Sequence, residues 1–71
     1  MSKHKYEVII YWSEPDNAYI AEVPELKGCM ADGTSYHEAL NNVETIIDEW
    51  IETARLMGRK IPKPKGKLMY A

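Results

Sequence analysis

"SYHEALNNVETIIDEWIETARLMG", residues 35–58, is the stretch on which the fold turns. Ser35 and Glu38 stand at the S-x-x-E spacing of a capping box, in which the serine oxygen accepts from the Glu38 amide while Glu38 reaches back. Apolar residues then recur at Tyr36, Ala39, Leu40, Val43, Ile46, Ile47, Trp50, Ile51, Ala54 and Met57. Steps of three and four put them on one stripe of a 3.6-residue period. Glu38, Glu44, Asp48, Glu49 and Glu52 fill the other sides. Gly58 suits a left-handed cap, and Arg55 and Arg59 complement the negative helix end. The spacing predicts one helix over 36–57, about 33 Å long at roughly 1.5 Å per residue, enough to cover a small sheet.

The residues before it supply that sheet. "KYEVIIYW" (5–12) alternates, with Tyr6, Val8, Ile10 and Trp12 on one face and Glu7, Ile9 and Tyr11 on the other. Period and β-branched content make it a strand. "SEPDNA" is a cluster of turn formers, and "YIAEV" returns with Tyr19, Ala21 and Val23 on one face, Ile20 and Glu22 on the other. The two read as an antiparallel hairpin. Pro24 cannot donate to a ladder and ends the second strand. "CMA" reads as a brief third strand closed by Asp32-Gly33, with Gly28 and Gly33 as joints that permit positive φ. After the helix, "IPKPKG" is an extended linker, and "KLMYA" is a candidate last strand. The expected architecture is α+β: a three- to four-stranded, mostly antiparallel sheet covered by one long helix, in the order β-β-β-α-β.

Seventy-one residues make one domain, with a core over about 5–58 and a basic, proline-containing tail over 59–71. A chain of this size buries only about 60% of the surface its unfolded form exposes. Small chains supplement such a core with disulfides, a metal or a second subunit. One cysteine excludes an internal disulfide, and no Cys/His cluster suggests a metal, so self-association is the expected supplement. Ile9, Tyr11 and an unpaired sheet edge are its candidate interface. The longest apolar run, Val8–Trp12, is too short for a signal core or a membrane span. With an unpaired cysteine, that leaves the cytoplasm as the expected compartment.

The net charge of −2 hides an asymmetry. Residues 1–54 carry three lysines against all eleven carboxylates, a net of −8, whereas residues 55–71 carry six cations and no acid. The acidic body is a poor nucleic-acid surface and suits a basic protein partner. The basic tail reads as a solvated segment before it reads as a phosphate contact.

Catalytic chemistry is not visible in the pattern. Cys29 would need a base to hold it as thiolate, and His37 in the first helical turn is the one conceivable partner. No third group orients that pair, and the cysteine reads better as a small buried hydrophobe where sheet gives way to helix. His4, Cys29 and His37 lack metal-ligand spacing. Asp16, Glu22, Glu25 and Asp32 fall in or near turns without converging on a magnesium site. Neither an enzyme nor a cofactor is expected.

A set of weak motifs in fixed order carries a family resemblance. A tyrosine-bearing first strand and hairpin lead into "Y-x-A-x-V-P-E-L-x-G-C" (Tyr19 to Cys29), followed by Gly33. "S-x-x-E-A-L" (Ser35 to Leu40) and "G-x-x-I-P-x-P" (Gly58 to Pro64) complete the series. Over roughly residues 6–64 the chain resembles the HicB-like antitoxins. That resemblance implies a partial ribonuclease-H-like fold and a role as antidote in a toxin–antitoxin pair. The partner it implies is a small basic HicA-like toxin that cleaves messenger RNA, and the usual assembly is a homodimer or homotetramer. Longer members carry a C-terminal DNA-binding segment. This chain stops at Ala71, so DNA binding is not expected beyond what the basic tail offers. The first strand has Val8, Ile9 and Ile10 where a metal-dependent nuclease needs a carboxylate, so the fold resemblance does not imply nuclease activity.

Glu14, Asp16, Glu22, Glu25 and Asp32 are the candidate toxin-binding residues, on the argument that an acidic surface speeds encounter with a basic RNA-binding protein. The alternatives are a free-standing homo-oligomeric binding protein and a weak transcriptional regulator. A small basic reading frame beside the gene speaks against the first, and a gel shift with and without residues 59–71 tests the second.

Overall fold

A tight turn at Glu14–Asn17 makes the hairpin. The Asn17 amide donates to the Glu14 carbonyl at 3.2 Å, Pro15 sits where its fixed φ suits the turn, and Asn17 takes φ 51, which asparagine tolerates better than most residues. On either side run β1 (Ile9–Ser13) and β2 (Ala18–Glu22), paired antiparallel from Ile9↔Glu22 to Ser13↔Ala18. A third strand, β3 (Met30–Gly33), pairs antiparallel with β2 from Tyr19↔Gly33 to Glu22↔Met30. The helix α1 (Tyr36–Leu56) then packs on one face of the β1-β2-β3 sheet. The computed structural model describes residues 4–65, and over that range the fold is the expected small α+β arrangement. The candidate strand "KLMYA" lies outside the described residues.

The first strand is shorter than its alternation predicts, and the cause lies across the ladder. Val23 faces β3, with its amide donating to the Cys29 carbonyl at 3.0 Å, so the next position of β2 turned toward β1 is Pro24, which has no amide to donate. β2 therefore has no rungs to offer beyond Glu22, and residues 5–8 lie outside the ladder. Tyr6 and Val8 still pack against the core beside Ile10. Trp12 does not, and is 43% exposed.

Between β2 and β3 the chain makes two consecutive turns, closed by Leu26 N–H to the Val23 carbonyl at 3.1 Å and Cys29 N–H to the Leu26 carbonyl at 2.9 Å. Gly28, with φ 79, sits third in the second turn, where a positive φ favours glycine. This loop seats Leu26 in the core, where it is fully buried among Ala21, Val23, Cys29, Ala39, Val43 and Ile47. Burying a Leu or Ile side chain contributes about 1.5–3 kcal/mol, so this cluster is the main source of stability. The Trp50 indole N–H donates to the Lys27 carbonyl at 3.0 Å and ties the loop to the helix.

α1 starts and stops by separate devices. The Ser35 hydroxyl oxygen accepts from the Glu38 amide at 3.0 Å, as a capping box requires. The return bond differs: the Glu38 carboxylate accepts from the amide and hydroxyl of Thr34, at 2.6 and 3.0 Å, one residue before the cap. At the far end, Gly58 N–H reaches the Arg55 carbonyl at 3.2 Å and Arg59 N–H reaches Ala54 at 2.8 Å, with Gly58 at φ 70. That pair of bonds is a Schellman motif. Ser35→Ala is expected to cost about 1 kcal/mol, read as a lower urea midpoint with unchanged slope.

The Thr34 hydrogen bonds hold the Glu38 carboxyl below its ordinary value. A lowered folded value means that this contribution is present above the unfolded carboxylate range and is lost as pH falls through the folded one. Glu38→Gln is therefore expected to flatten the acid limb of stability against pH while leaving the neutral-to-alkaline limb unchanged in shape.

The ends of the helical stripe overhang the sheet. Tyr36 is 60% and Met57 64% exposed, because a helix of 21 residues outruns strands of four and five. The segment after α1 turns back along the body. The Tyr6 hydroxyl donates to the Pro62 carbonyl, the Lys65 amide donates to Glu25, and Ile61 and Pro62 are half-buried. The Tyr6 phenol is pushed up by burial and then by the Glu25 charge. Among the described residues, no helix is long and apolar enough to cross a membrane.

Candidate protein-binding surface

One helix covers one face of the sheet, so the strand register defines what the opposite face presents. Side chains alternate across a strand, and residues opposite each other in a ladder share a face. Ile10, Ala21 and Ala31 point toward α1 and its core. The open face then carries Ile9, Glu22 and Met30 in one row and Tyr11, Ile20 and Asp32 in the next, with Ser13 and Ala18 toward the hairpin. Tyr11 is 42% and Met30 49% exposed, and no element of the described chain packs over them. The result is an apolar patch of four side chains with a carboxylate in each row.

The five candidate acids do not form one surface. Glu22 and Asp32 lie on the open face, and neither carboxylate has a hydrogen-bond or ion-pair partner among the described residues. Glu14 and Asp16 sit at the hairpin tip and are already engaged: Glu14 accepts from the Trp12 indole N–H at 2.7 Å, and Asp16 from the Ser13 hydroxyl at 2.7 Å. Glu25 lies at the other end of β2, where one oxygen accepts from Lys65 N–H at 3.1 Å and the other is buried with no hydrogen-bond partner among the described residues. The candidate self-association residues Ile9 and Tyr11 share the open face with Glu22 and Asp32. Ile20 and Met30 complete that face. Their signal is the same alternation, carried from Ala21 to Ile20 and from Ala31 to Met30.

Residues 1–62 match the UPF0150-like family. This chain belongs to the UPF0150 family. It is 32% identical over 63 residues to a UPF0150 protein of Synechocystis sp., covering 89% of this chain and 85% of that relative. It is 41% identical over 63 residues to a UPF0150 protein of Thermoplasma acidophilum, covering 89% of this chain and 90% of that one. A second Synechocystis UPF0150 protein is 36% identical over 56 residues, with 79% and 80% covered. No solved structure matches the chain.

The cysteine of this UPF0150 protein is placed for packing. Cys29 is 2% exposed and belongs to the core cluster. Burial pushes its thiol up, away from the thiolate a nucleophile needs. His37 is exposed in the first turn of α1. Cys29→Ala is expected to cost about 1–2 kcal/mol, the range for a small buried deletion, without altering any binding property. A folded Cys29→Ala protein that loses binding would contradict this.

A shallow cleft of about 200 Å³ lies between Ile46, Trp50 and Thr53 of α1 and Arg59 beyond it. A second, of about 210 Å³, follows the loop from Glu22 to Met30. Among the described residues, no three His, Cys, Asp or Glu side chains converge as a metal-ligand set. Among the described residues of this UPF0150 chain, the outer sheet face is left uncovered.

Proposed function

We propose that this UPF0150 protein is a HicB-like antitoxin whose open sheet face binds and neutralises a small basic HicA-like, mRNA-cleaving toxin. The observation that carries the reading is the pair of unpartnered carboxylates, Glu22 and Asp32, set among Ile9, Tyr11, Ile20 and Met30 on that face. An apolar centre supplies contact area, and unpaired acids supply complementarity to lysines and arginines that otherwise hold RNA. The same acids weigh against a second copy on this face, since two faces apposed would bring four carboxylates together. The net of −8 over residues 1–54 gives the encounter its long-range attraction. Self-association then runs through the outer edge of β1, which nothing pairs among the described residues. The chain's own role is occlusion, with no catalytic step and no cofactor.

Co-expression tests the reading. The small basic protein encoded beside this gene is expected to arrest growth when produced alone, and production of this chain is expected to restore it. Continued arrest with both proteins soluble and abundant would overturn the proposal.

A further inference from the structure

Three aromatic rings run unbroken from the hairpin to the start of α1. Trp12 meets Tyr19 edge-on at 5.1 Å between ring centroids, and Tyr19 meets Tyr36 at 4.4 Å. Trp12 and Tyr19 face each other across β1 and β2 on the helix side of the sheet. α1 lies chiefly over β3 and β2 and touches β1 least, which leaves the β1 end of this row uncovered. Trp12 at 43% and Tyr36 at 60% exposure are among the most exposed large side chains of the described fold. Yet the row is ordered. Tyr19 is held between its neighbours, and the indole N–H of Trp12 is fixed by one oxygen of Glu14. Asp16 is held elsewhere, by the hydroxyl of Ser13 on the opposite face of β1.

The rings are inclined to one another, at 70° and 40°, so what the row offers is the exposed face of the Trp12 indole with a carboxylate at its edge, and that has a chemical counterpart in the guanidinium group. That cation stacks on an aromatic face and directs its N–H donors to an acid in the ring plane. The second oxygen of Glu14 remains available for such a donor. A nucleobase would stack equally well, but its phosphates would meet Glu14 and the net charge of −8 that residues 1–54 carry. The positive end of α1 nearby is already answered by the Ser35 hydroxyl and the Glu38 carboxylate.

We infer that the Trp12–Tyr19–Tyr36 row with Glu14 is a recognition site for an arginine side chain of a basic protein partner, separate from the open sheet face. The inference rests on the proposed function only in expecting a basic partner. The site itself is testable without one.

The probe is a short peptide, acetyl-Gly-Arg-Gly-Arg-Gly-amide, with its lysine counterpart as control. In a Trp50→Phe background, Trp12 is the sole indole and reports binding by its emission. The arginine peptide is expected to give a saturable change and to bind about threefold or more tighter than the lysine peptide. By calorimetry, Glu14→Gln, which keeps an acceptor for the indole, and Trp12→Leu are each expected to remove that preference. Equal binding of the two peptides, or a preference that survives both substitutions, would overturn the site. Tighter binding of a single-stranded RNA oligonucleotide would overturn the assignment to arginine. A change in Trp12 emission on replacing Arg55 and Arg59 by Gln, with no peptide present, would put a second copy's arginine in the site and overturn the foreign partner. None of these readings depends on whether a toxin binds the open face.

Discussion

Gly33→Ala is expected to be among the most damaging single substitutions in this protein, with a fall in melting temperature of about 10–20 °C. At Gly33 the last residue of β3 passes under the first turns of α1. A Cβ placed there would lie 2.5 Å from the Ala39 nitrogen and 2.9 Å from the Ala39 α-carbon. These are backbone atoms of a helix, so no side-chain rotation relieves the clash and the helix must move off the sheet. Overpacking typically costs about 1–3 kcal/mol and here belongs at or above the upper end. A domain of this size holds about 4–11 kcal/mol in all, and each kilocalorie shifts its midpoint by about 4–8 °C. Gly58 supplies the contrast. Nothing lies within 4 Å of a Cβ there, and its requirement is only φ 70. Gly58→Ala is expected to cost about 1–2 kcal/mol, the ordinary penalty for an alanine in the left-handed region. A thermal melt in which Gly58→Ala is the worse of the two would show that helix and sheet do not approach as described.

The second large effect concerns binding. Glu22→Lys with Asp32→Lys reverses both acids of the open face, and is expected to weaken binding of the proposed toxin by about 2–5 kcal/mol. That is about thirtyfold to several thousandfold in Kd. The matched control is Glu49→Lys with Glu52→Lys, which makes the same change in net charge on exposed positions of α1. It is expected to slow association modestly at low salt and to leave the dissociation rate alone. Raising ionic strength should shrink the control's effect toward zero while most of the open-face effect remains, because charges inside a formed interface are screened least. Equal losses from the two double variants would reduce the interaction to overall charge.

Both predictions draw on features that the sequence shows unevenly. The helix is legible because a 21-residue amphipathic period, a serine cap and a glycine stop all agree. The two sheet faces are legible from Tyr19–Val23, where alternation is clean and one glutamate marks the open side. The length of β1 is not, since it depends on which rungs β2 can offer, and that is decided by Pro24, the next position turned toward β1. Leu26 is one of the largest fully buried side chains. It sits in a stretch with no period at all, "PELKG", and only the two stacked turns bring it inward. Gly33 invites a reading as a positive-φ joint, as Gly28 proves to be. Its actual requirement is space beneath Ala39, which no local pattern encodes. The acids were the least legible group. Loop position alone cannot distinguish Glu25, held by the Lys65 amide, from Glu22 and Asp32, whose carboxylates meet no partner among the described residues.

Neutralisation itself is measured most directly by messenger-RNA cleavage. The toxin, purified alone, is incubated with a transcript and increasing amounts of this protein. Cleavage is expected to stop near a fixed stoichiometric ratio with the wild-type chain, and to continue at that ratio with the Glu22→Lys, Asp32→Lys protein. Cleavage that proceeds undiminished at excess wild-type protein, or that the double variant blocks equally well, would contradict the assignment of the open sheet face.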